Sequence, residues 1–319
     1  MNILITGGAG FIGSNLTDAL LKHKHNVVCL DNFDGFYDPA IKRSNIRQAL
    51  NSPNYFLVEG DIRDSDVLGK IFMQYSIDIV VHLAAWAGVR PSLINPGLYY
   101  EVNLLGTLSV LEAMKKYNVN KMIMASSSSV YGNNDKIPFS ENDTVDHPVS
   151  PYAASKKAAE LLSYTYSHLY GFDIFCMRFF TVYGPRQRPE MAVHQFVRKI
   201  LKGETIQLYG DGSSRRDYTY VDDIVQGLVN VLDRLKGYEI INLGESQPIA
   251  LRDLISNIES ILNRKAIIEW KPGQPGDTEV TFADISKAHR LLDYNPEFSI
   301  EKGLKDFVNW FLANNKDNN

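Results

Sequence analysis

Residues 2–13 read Asn2-Ile3-Leu4-Ile5-Thr6-Gly7-Gly8-Ala9-Gly10-Phe11-Ile12-Gly13. An apolar run of strand length ends in glycine, and a helical pattern follows over residues 11–22. Glycines at 7, 10 and 13 let the chain turn tightly. They also let a pyrophosphate approach backbone amides where the helix begins, at Phe11 and Ile12. A tight turn with no ligand would use the same residues, so context decides, and the required strand and helix are both present. The second strand, 27–30, runs into Asp31 and Asn32. Asp31 follows Gly13 at close to the roughly 20-residue spacing expected for a carboxylate on the adenosine ribose hydroxyls. Such a carboxylate repels a 2′-phosphate, so the expected cofactor is NAD rather than NADP; a strand-end turn is the plain alternative for Asp31.

Outward from this stretch, apolar runs of four to six residues alternate with longer helical patterns, which predicts an α/β fold with a doubly wound parallel (Rossmann) sheet. Strands are expected at 2–6, 27–30, 55–58, 77–83, 121–126 and 173–179, and helices near 11–22, 64–75, 96–117 and 151–170. From about Thr181, Gly/Pro turns separate shorter elements. The expected division is an NAD-binding domain over 1–180 and a smaller α/β substrate domain over 181–319, with a soft boundary that segments may cross. Two more strand ends fit a dinucleotide lying across the sheet's carboxyl edge. Asp61, beside Ile62, could meet the adenine amino group. Leu83, Ala84 and Ala85 are small enough for a ribose or nicotinamide to lie against backbone. His82, inside an apolar run, is read as a hydrogen-bonded structural imidazole.

Composition bounds the partners. The chain has 319 residues, 45% hydrophobic and 22% charged, with net charge −4 and no Lys/Arg block, which argues against nucleic acid. No apolar run approaches the roughly 20 residues of a membrane span. The first residues carry no basic leader and are read as the first strand. Cys29 and Cys176 both lie in apolar runs without ligand spacing. They fit buried thiols in a reducing cytoplasm and no metal site.

Ser150-Pro151-Tyr152-Ala153-Ala154-Ser155-Lys156 carries the strongest chemical signal. Ser150 is a good N-cap and Pro151 suits the first helical position. Tyr152 and Lys156, at i and i+4, then share a face, whereas Lys157 lies about 140° round from Tyr152. A phenol with a pKa of about 10 is a poor base at neutral pH. A neighbouring ammonium and the positive nicotinamide of NAD+ would ease its ionisation. The run Ser126-Ser127-Ser128-Ser129-Val130-Tyr131-Gly132 ends the fifth strand on the cofactor edge. Serines there could simply close the strand. Beside Tyr152, one hydroxyl can instead hydrogen-bond the oxygen whose proton Tyr152 removes, and Ser127 is expected in that role.

Together the glycine fingerprint, "HLAA", "SSSSVYG", YxxxK, "RRDYTYVDD" and the late "PGD…ADISKA" resemble the extended short-chain dehydrogenase/reductase family, in its nucleotide-sugar epimerase branch. The resemblance covers essentially the whole chain. Through "HLAAWAGVR", "VDHPVSPYAASKKAAEL", "TYSHLYG" and "RFFTVYGPRQRPEMA" it is similar to the UDP-glucuronate 4-epimerases. It implies oxidation of the sugar at C4, rotation of the 4-keto sugar and return of hydride to its other face, with NAD regenerated and no metal. Ser127, Tyr152 and Lys156 match the family's catalytic positions. Asn103, Arg216 and Asp277 match positions lining the UDP site, with Arg216 on phosphate and Asp277 on ribose. The substrate carboxylate has five candidate partners: Arg90, Arg188, Ser128, Ser129 and Thr181. A guanidinium fork suits a carboxylate, but both arginines could equally take the diphosphate, so the hydroxyls lead. Related decarboxylases carry Glu, and 4,6-dehydratases an Asp-Glu pair, just before Val-Tyr-Gly; this chain has Ser128-Ser129. Trp86 stands where these epimerases commonly have Gln, and Gln274 where UDP-glucose epimerases commonly have Arg. The resemblance also implies a homodimer through a four-helix bundle of 96–117 and 151–170. The rival readings are a 4-epimerase of UDP-glucose or UDP-N-acetylglucosamine, a UDP-glucuronate decarboxylase, a dehydrogenase that releases NADH, and a non-catalytic NAD-binding protein.

Overall fold

A computed structural model describes residues 1–272 and 279–314. Twelve strands occur among them: β1 (Asn2–Thr6), β2 (Asn26–Asp31), β3 (Tyr55–Glu59), β4 (Ile79–His82), β5 (Lys121–Ser127), β6 (Asp173–Phe179), β7 (Thr181–Tyr183), β8 (Thr205–Tyr209), β9 (Arg215–Tyr220), β10 (Tyr238–Leu243), β11 (Pro248–Ala250) and β12 (Ile267–Lys271). The helices are α1 (Phe11–Lys22), α2 (Pro39–Asn45), α3 (Ser65–Gln74), α4 (Val89–Ile94), α5 (Pro96–Tyr100), α6 (Gly106–Lys116), α7 (Pro151–Tyr170), α8 (Ala192–Lys202), α9 (Val221–Val231), α10 (Leu251–Leu262), α11 (Ser286–Leu292) and α12 (Ile300–Asn314).

Seven strands form one sheet in the order β3-β2-β1-β4-β5-β6-β10, with every neighbouring pair parallel. Because side chains alternate across a strand, β1 sends Ile3 and Ile5 to one face, where α1, α9 and α11 pack, and Leu4 to the other, under α3, α6 and α7. Both faces are covered, which is why these strands read as unbroken apolar runs. Strand order reverses between β1 and β4, and the crevice outside their carboxyl ends is where such sheets hold ligands.

A second lobe packs α8, α10 and α12 around β8, β12 and the three-stranded sheet β11-β9-β7. The chain enters this lobe after β6 and comes back twice, first with α9 and β10, which pairs with β6 over Tyr238–Leu243, and again with α11. A boundary at residue 180 therefore separates the lobes only for the chain before α9, and segments cross it in both directions. The returning strand covers an edge of β6 that would otherwise expose backbone. The helix expected over 96–117 is also interrupted: a π-helical turn, Glu101–Leu105, separates α5 from α6. Such turns turn a side chain inward, and here that side chain is Asn103.

Candidate active site

The glycine turn shapes the site first. Gly7 has φ +69°, and a Cβ there would lie 2.8 Å from Ala84 N; a Cβ at Gly13 would lie 2.4 Å from Gly7 O. Any side chain would push β1, β4 and α1 apart. Gly10, the N-cap of α1, brings no side chain to the first amides of the helix. Phe11, Ile12 and Gly13 thus begin a helix whose N–H groups face an open cavity of about 400 Å³, within the usual range of ligand sites. These features fit a dinucleotide pyrophosphate.

At the adenosine end Asp31 is buried, accepting from Ala9 N at 3.1 Å and Phe33 N at 2.9 Å. Lys42 stands 3.7 Å from it. This lysine lines the same cavity and was not legible from the sequence; it offsets part of the repulsion that Asp31 exerts on a 2′-phosphate. Asp61 is bonded through both oxygens. The Arg63 fork holds its carboxyl down at about 2, and Asn32 also donates to it. Asp61 and Ile62 line the cavity, but an adenine amino group would meet a carboxylate already shared with Arg63 and Asn32.

His82 is the structural imidazole expected. Ala84 N donates to Thr6 Oγ1, which lies 2.7 Å from His82 Nδ1; His82 Nε2 lies 3.0 Å from Thr107 Oγ1, which donates to Asn103 O. Thr107 must therefore accept from Nε2–H, and Thr6 must donate to Nδ1, which fixes one neutral tautomer. Burial lowers the imidazole to about 3, so it stays neutral. Leu83, Ala84 and Ala85 follow as cavity wall.

Helix α7 begins as its sequence dictates, with Ser150 Oγ accepting from Ala153 N at 3.1 Å and Pro151 in the first turn. A serine N-cap contributes about 1 kcal/mol and fixes where Tyr152 emerges. Tyr152, Lys156 and Ser127 all line the cavity. Burial pushes the Tyr152 phenol up; a Ser127 hydrogen bond, then the Arg188 charge, pull it back. Lys156 is anchored to β5. Its ammonium donates to Ala125 O at 2.8 Å, and burial lowers it to about 8. Tyr152 and Lys156 thus line one cavity, with Lys156 tied to β5. Lys157 turns to Glu160 at 3.4 Å.

The hydroxyl floor continues through Ser128, Ser129 and Thr181, with Arg188 alongside. Ser127 Oγ accepts from Ser129 N at 3.1 Å, which folds the serine run into a short helical turn. Arg188 pairs with Glu190 at 3.1 Å and lies 5.5 Å from the Phe36 ring centre. Phe36 meets Trp86 edge-on, Trp86 meets Tyr99, and Tyr99 meets Tyr152. This ring-to-ring path accounts for Trp86: it is the middle of an aromatic wall that ends on the Tyr152 ring. Its aromatic residues are scattered through the sequence, so no local pattern announces it.

The remaining candidates sit elsewhere. Asn103 is buried and fully bonded: it accepts from Trp86 N and donates to Trp86 O and Ser155 Oγ. It clamps the loop after β4 to α7 and does not line the cavity. Arg90 lies 4.9 Å from the Tyr209 ring centre, spanning from α4 to the second lobe. Arg216, on β9, donates to the carbonyls of Arg215 and Glu279. Asp277 lies outside the described residues, as does Gln274.

A glycine cradle at a strand switch point, beside a Tyr–Lys–Ser trio on a doubly wound sheet, defines a site of the short-chain dehydrogenase/reductase class. A family model described as GDP-mannose 4,6 dehydratase matches residues 4–307; the chain belongs to this extended short-chain dehydrogenase/reductase family. A UDP-glucuronate 4-epimerase of Thermodesulfobacterium geofontis is 47% identical over 312 residues, covering 98% of this chain and 96% of that protein. The crystal structure of UDP-glucuronic acid 4-epimerase from Bacillus cereus, in complex with UDP-glucuronic acid and NAD, matches with a TM-score of 0.93 at 38% identity, covering 98% of this chain and 99% of that one. The UDP-glucose 4-epimerase of Thermotoga maritima with UDP-glucose matches with a TM-score of 0.90 at 33% identity, covering 98% and 99%.

Proposed function

We propose that this protein is an NAD-dependent 4-epimerase that interconverts UDP-glucuronate and UDP-galacturonate through a 4-keto sugar. One observation carries the choice among family reactions. The acidic side chains lining the cavity, Asp31, Asp34 and Asp61, all belong to its adenosine end, while the wall beside Tyr152 offers Ser127, Ser128, Ser129, Thr181 and Arg188. Dehydration needs an added acid–base pair there, and among the described residues this wall has none.

NAD, when bound, supplies the oxidant for C4 and later returns the same reducing equivalents. Tyr152 removes the C4 hydroxyl proton and Ser127 hydrogen-bonds the same oxygen, so the proton leaves along a prepared path. Lys156, fixed to Ala125 O, places positive charge beside that oxygen. A 4-keto uronic acid is a β-keto acid and loses CO2 when the breaking bond aligns with the carbonyl π system. Ser128, Ser129 and Thr181 hold the carboxylate away from that alignment, and the Arg188 guanidinium faces the carboxylate or the diphosphate. Arg90, Arg216 and Asp277 remain the proposed contacts for the diphosphate and ribose. Asn103 acts on the loop through Trp86 and reaches a ligand only by giving up one of its bonds.

Incubating the purified chain with UDP-glucuronate and, side by side, UDP-glucose, without added NAD, tests this reading. UDP-galacturonate should form. Preference for UDP-glucose, a UDP-pentose product, or NADH accumulating at 340 nm would each refute it.

Two accompanying proposals concern context. Leu105 beside α6 and Leu161 and Tyr164 on α7 are exposed on adjoining helices. A second copy presenting the same face would bury them in an isologous four-helix interface. Cys29 and Cys176 are buried free thiols, which fits a reducing, cytoplasmic setting. No described helix is long and apolar enough to cross a membrane.

A further inference from the structure

Three residues on successive turns of α7 meet the end of β5. Tyr152 lines the cavity beside Ser127, Lys156 donates to Ala125 O at 2.8 Å, and Glu160 accepts from the Ser126 hydroxyl at 2.6 Å. Spacings of i, i+4 and i+8 place all three on one helix face. Only the first two reach the cavity. Glu160 is wholly buried, and its carboxylate is forked by Arg178 Nε and Nη2 at 2.8 and 2.9 Å, with Lys157 at 3.4 Å. Arg178, equally buried, stands on β6 opposite Ser126 in the strand register. A buried ion pair is weak evidence for stability, since an apolar pair of similar volume often serves as well. Its place directly beneath Lys156 is what calls for an explanation.

We propose that Glu160, held in place by the Arg178 fork, is a positioning residue for the reaction: it holds the Ser126–Ser127 end of β5 in register with the Tyr152 hydroxyl, and its charge keeps Lys156 an ammonium in a dry site.

The surroundings of Lys156 single out Glu160. On α7 its neighbours are Tyr152, Lys157 and Glu160. On β6 they are Cys176, whose thiol burial pushes up to about 12, and Arg178, committed to Glu160. On β4 stands His82, neutral at working pH, and the segment before and into α6 brings only uncharged Asn103 and Thr107. On β10, the Tyr238 hydroxyl donates to Glu160 O. Among these groups Glu160 is the only anion. Burial would raise its own carboxyl, but the Arg178 fork, Ser126 and Lys157 outweigh that and hold it below the ordinary range. Burial brings Lys156 down, and the Glu160 charge is the largest influence opposing it.

The inference rests on the epimerase reading, and the experiment separates the two. Wild-type turnover of UDP-glucuronate tests that reading alone. Glu160→Gln then keeps the shape and the acceptor for Ser126 while removing the charge. Its kcat–pH profile should lose activity on the alkaline side about one pH unit earlier than wild type, with KM for UDP-glucuronate within about twofold. A folded Glu160→Gln protein whose profile superimposes on an active wild type overturns the proposal. Should that variant fail to fold around an unpaired Arg178, the double variant Glu160→Met/Arg178→Met removes both charges, and a smaller early alkaline loss in the same direction is expected, because it is the Glu160 charge that acts on Lys156; an unmoved profile overturns the proposal equally. Ser126→Ala removes the strand contact and leaves the charges. It should lower kcat about tenfold without moving the profile, and an unchanged kcat would refute the register half of the assignment. A role limited to stability would move neither pH profile.

Discussion

Replacing Glu245 with glutamine tests whether the acids between the two lobes set the alkaline limit of the fold. Glu245 follows β10, close to Asp217 on β9 and Asp223 on α9. Burial, then the charges of Asp223 and Asp217, raise its carboxyl to about 8, and its Oε2 is buried with no hydrogen-bond partner among the described residues. A carboxyl raised in the folded state keeps its proton there after the unfolded chain has released it. Its contribution is therefore fully present below the ordinary glutamate value, near 4.5, and is lost progressively as pH rises toward 8. Each pH unit in that window costs up to about 1.4 kcal/mol. The side chain is partly open to water, and halving the full effect for screening leaves about 2 kcal/mol. An amide is neutral at every pH and can donate to Asp217 or Asp223. Glu245→Gln should therefore match wild type in urea denaturation near pH 4.5 and exceed it by about 2 kcal/mol at pH 8.5. An equal difference at both pH values, or a weaker variant at pH 8.5, would show that Glu245 ionises freely and refute the argument.

Other substitutions test the site itself. Tyr152→Phe keeps the packing against Tyr99 and deletes the base, so kcat for UDP-glucuronate should fall 10²–10⁴-fold, measured as epimer formed; wild-type turnover would remove the phenol from the mechanism. Ser129→Ala and Thr181→Ala should each raise KM for UDP-glucuronate about tenfold, the worth of a hydrogen bond to a charged group, and leave UDP-glucose binding alone. An unchanged KM sends the carboxylate to Arg188 instead. Tyr164→Glu, on the exposed face of α7, should convert a dimer to a monomer in light scattering; a dimer that persists would place the interface elsewhere.

Local physics made much of this molecule readable. β1, α1, α7 and β6 have the bounds anticipated because the glycine turn, the Ser150–Pro151 start and unbroken apolar runs are all short-range signals. Tyr152 and Lys156 share a face for the same reason. What escaped depends on contacts distant in sequence. β10 joins the large sheet only because the edge of β6 is open. Lys42 reaches Asp31 through the placement of α2. The bond from Lys156 to Ala125 O follows from the depth at which α7 packs on β5. Trp86 gained its account only once Phe36 and Tyr99, from separate segments, were seen on either side of it.

The imidazole chain behind the cavity wall has a consequence for how the enzyme keeps its intermediate. From Ala84 N–H to Asn103 O every hydrogen points one way, and no member can reverse without stranding a donor against a donor. Such a wire can neither accept a proton from the sugar side nor hand one in. A proton taken by Tyr152 thus has no second home in that wall, and that face of the cavity is closed to proton loss from the intermediate.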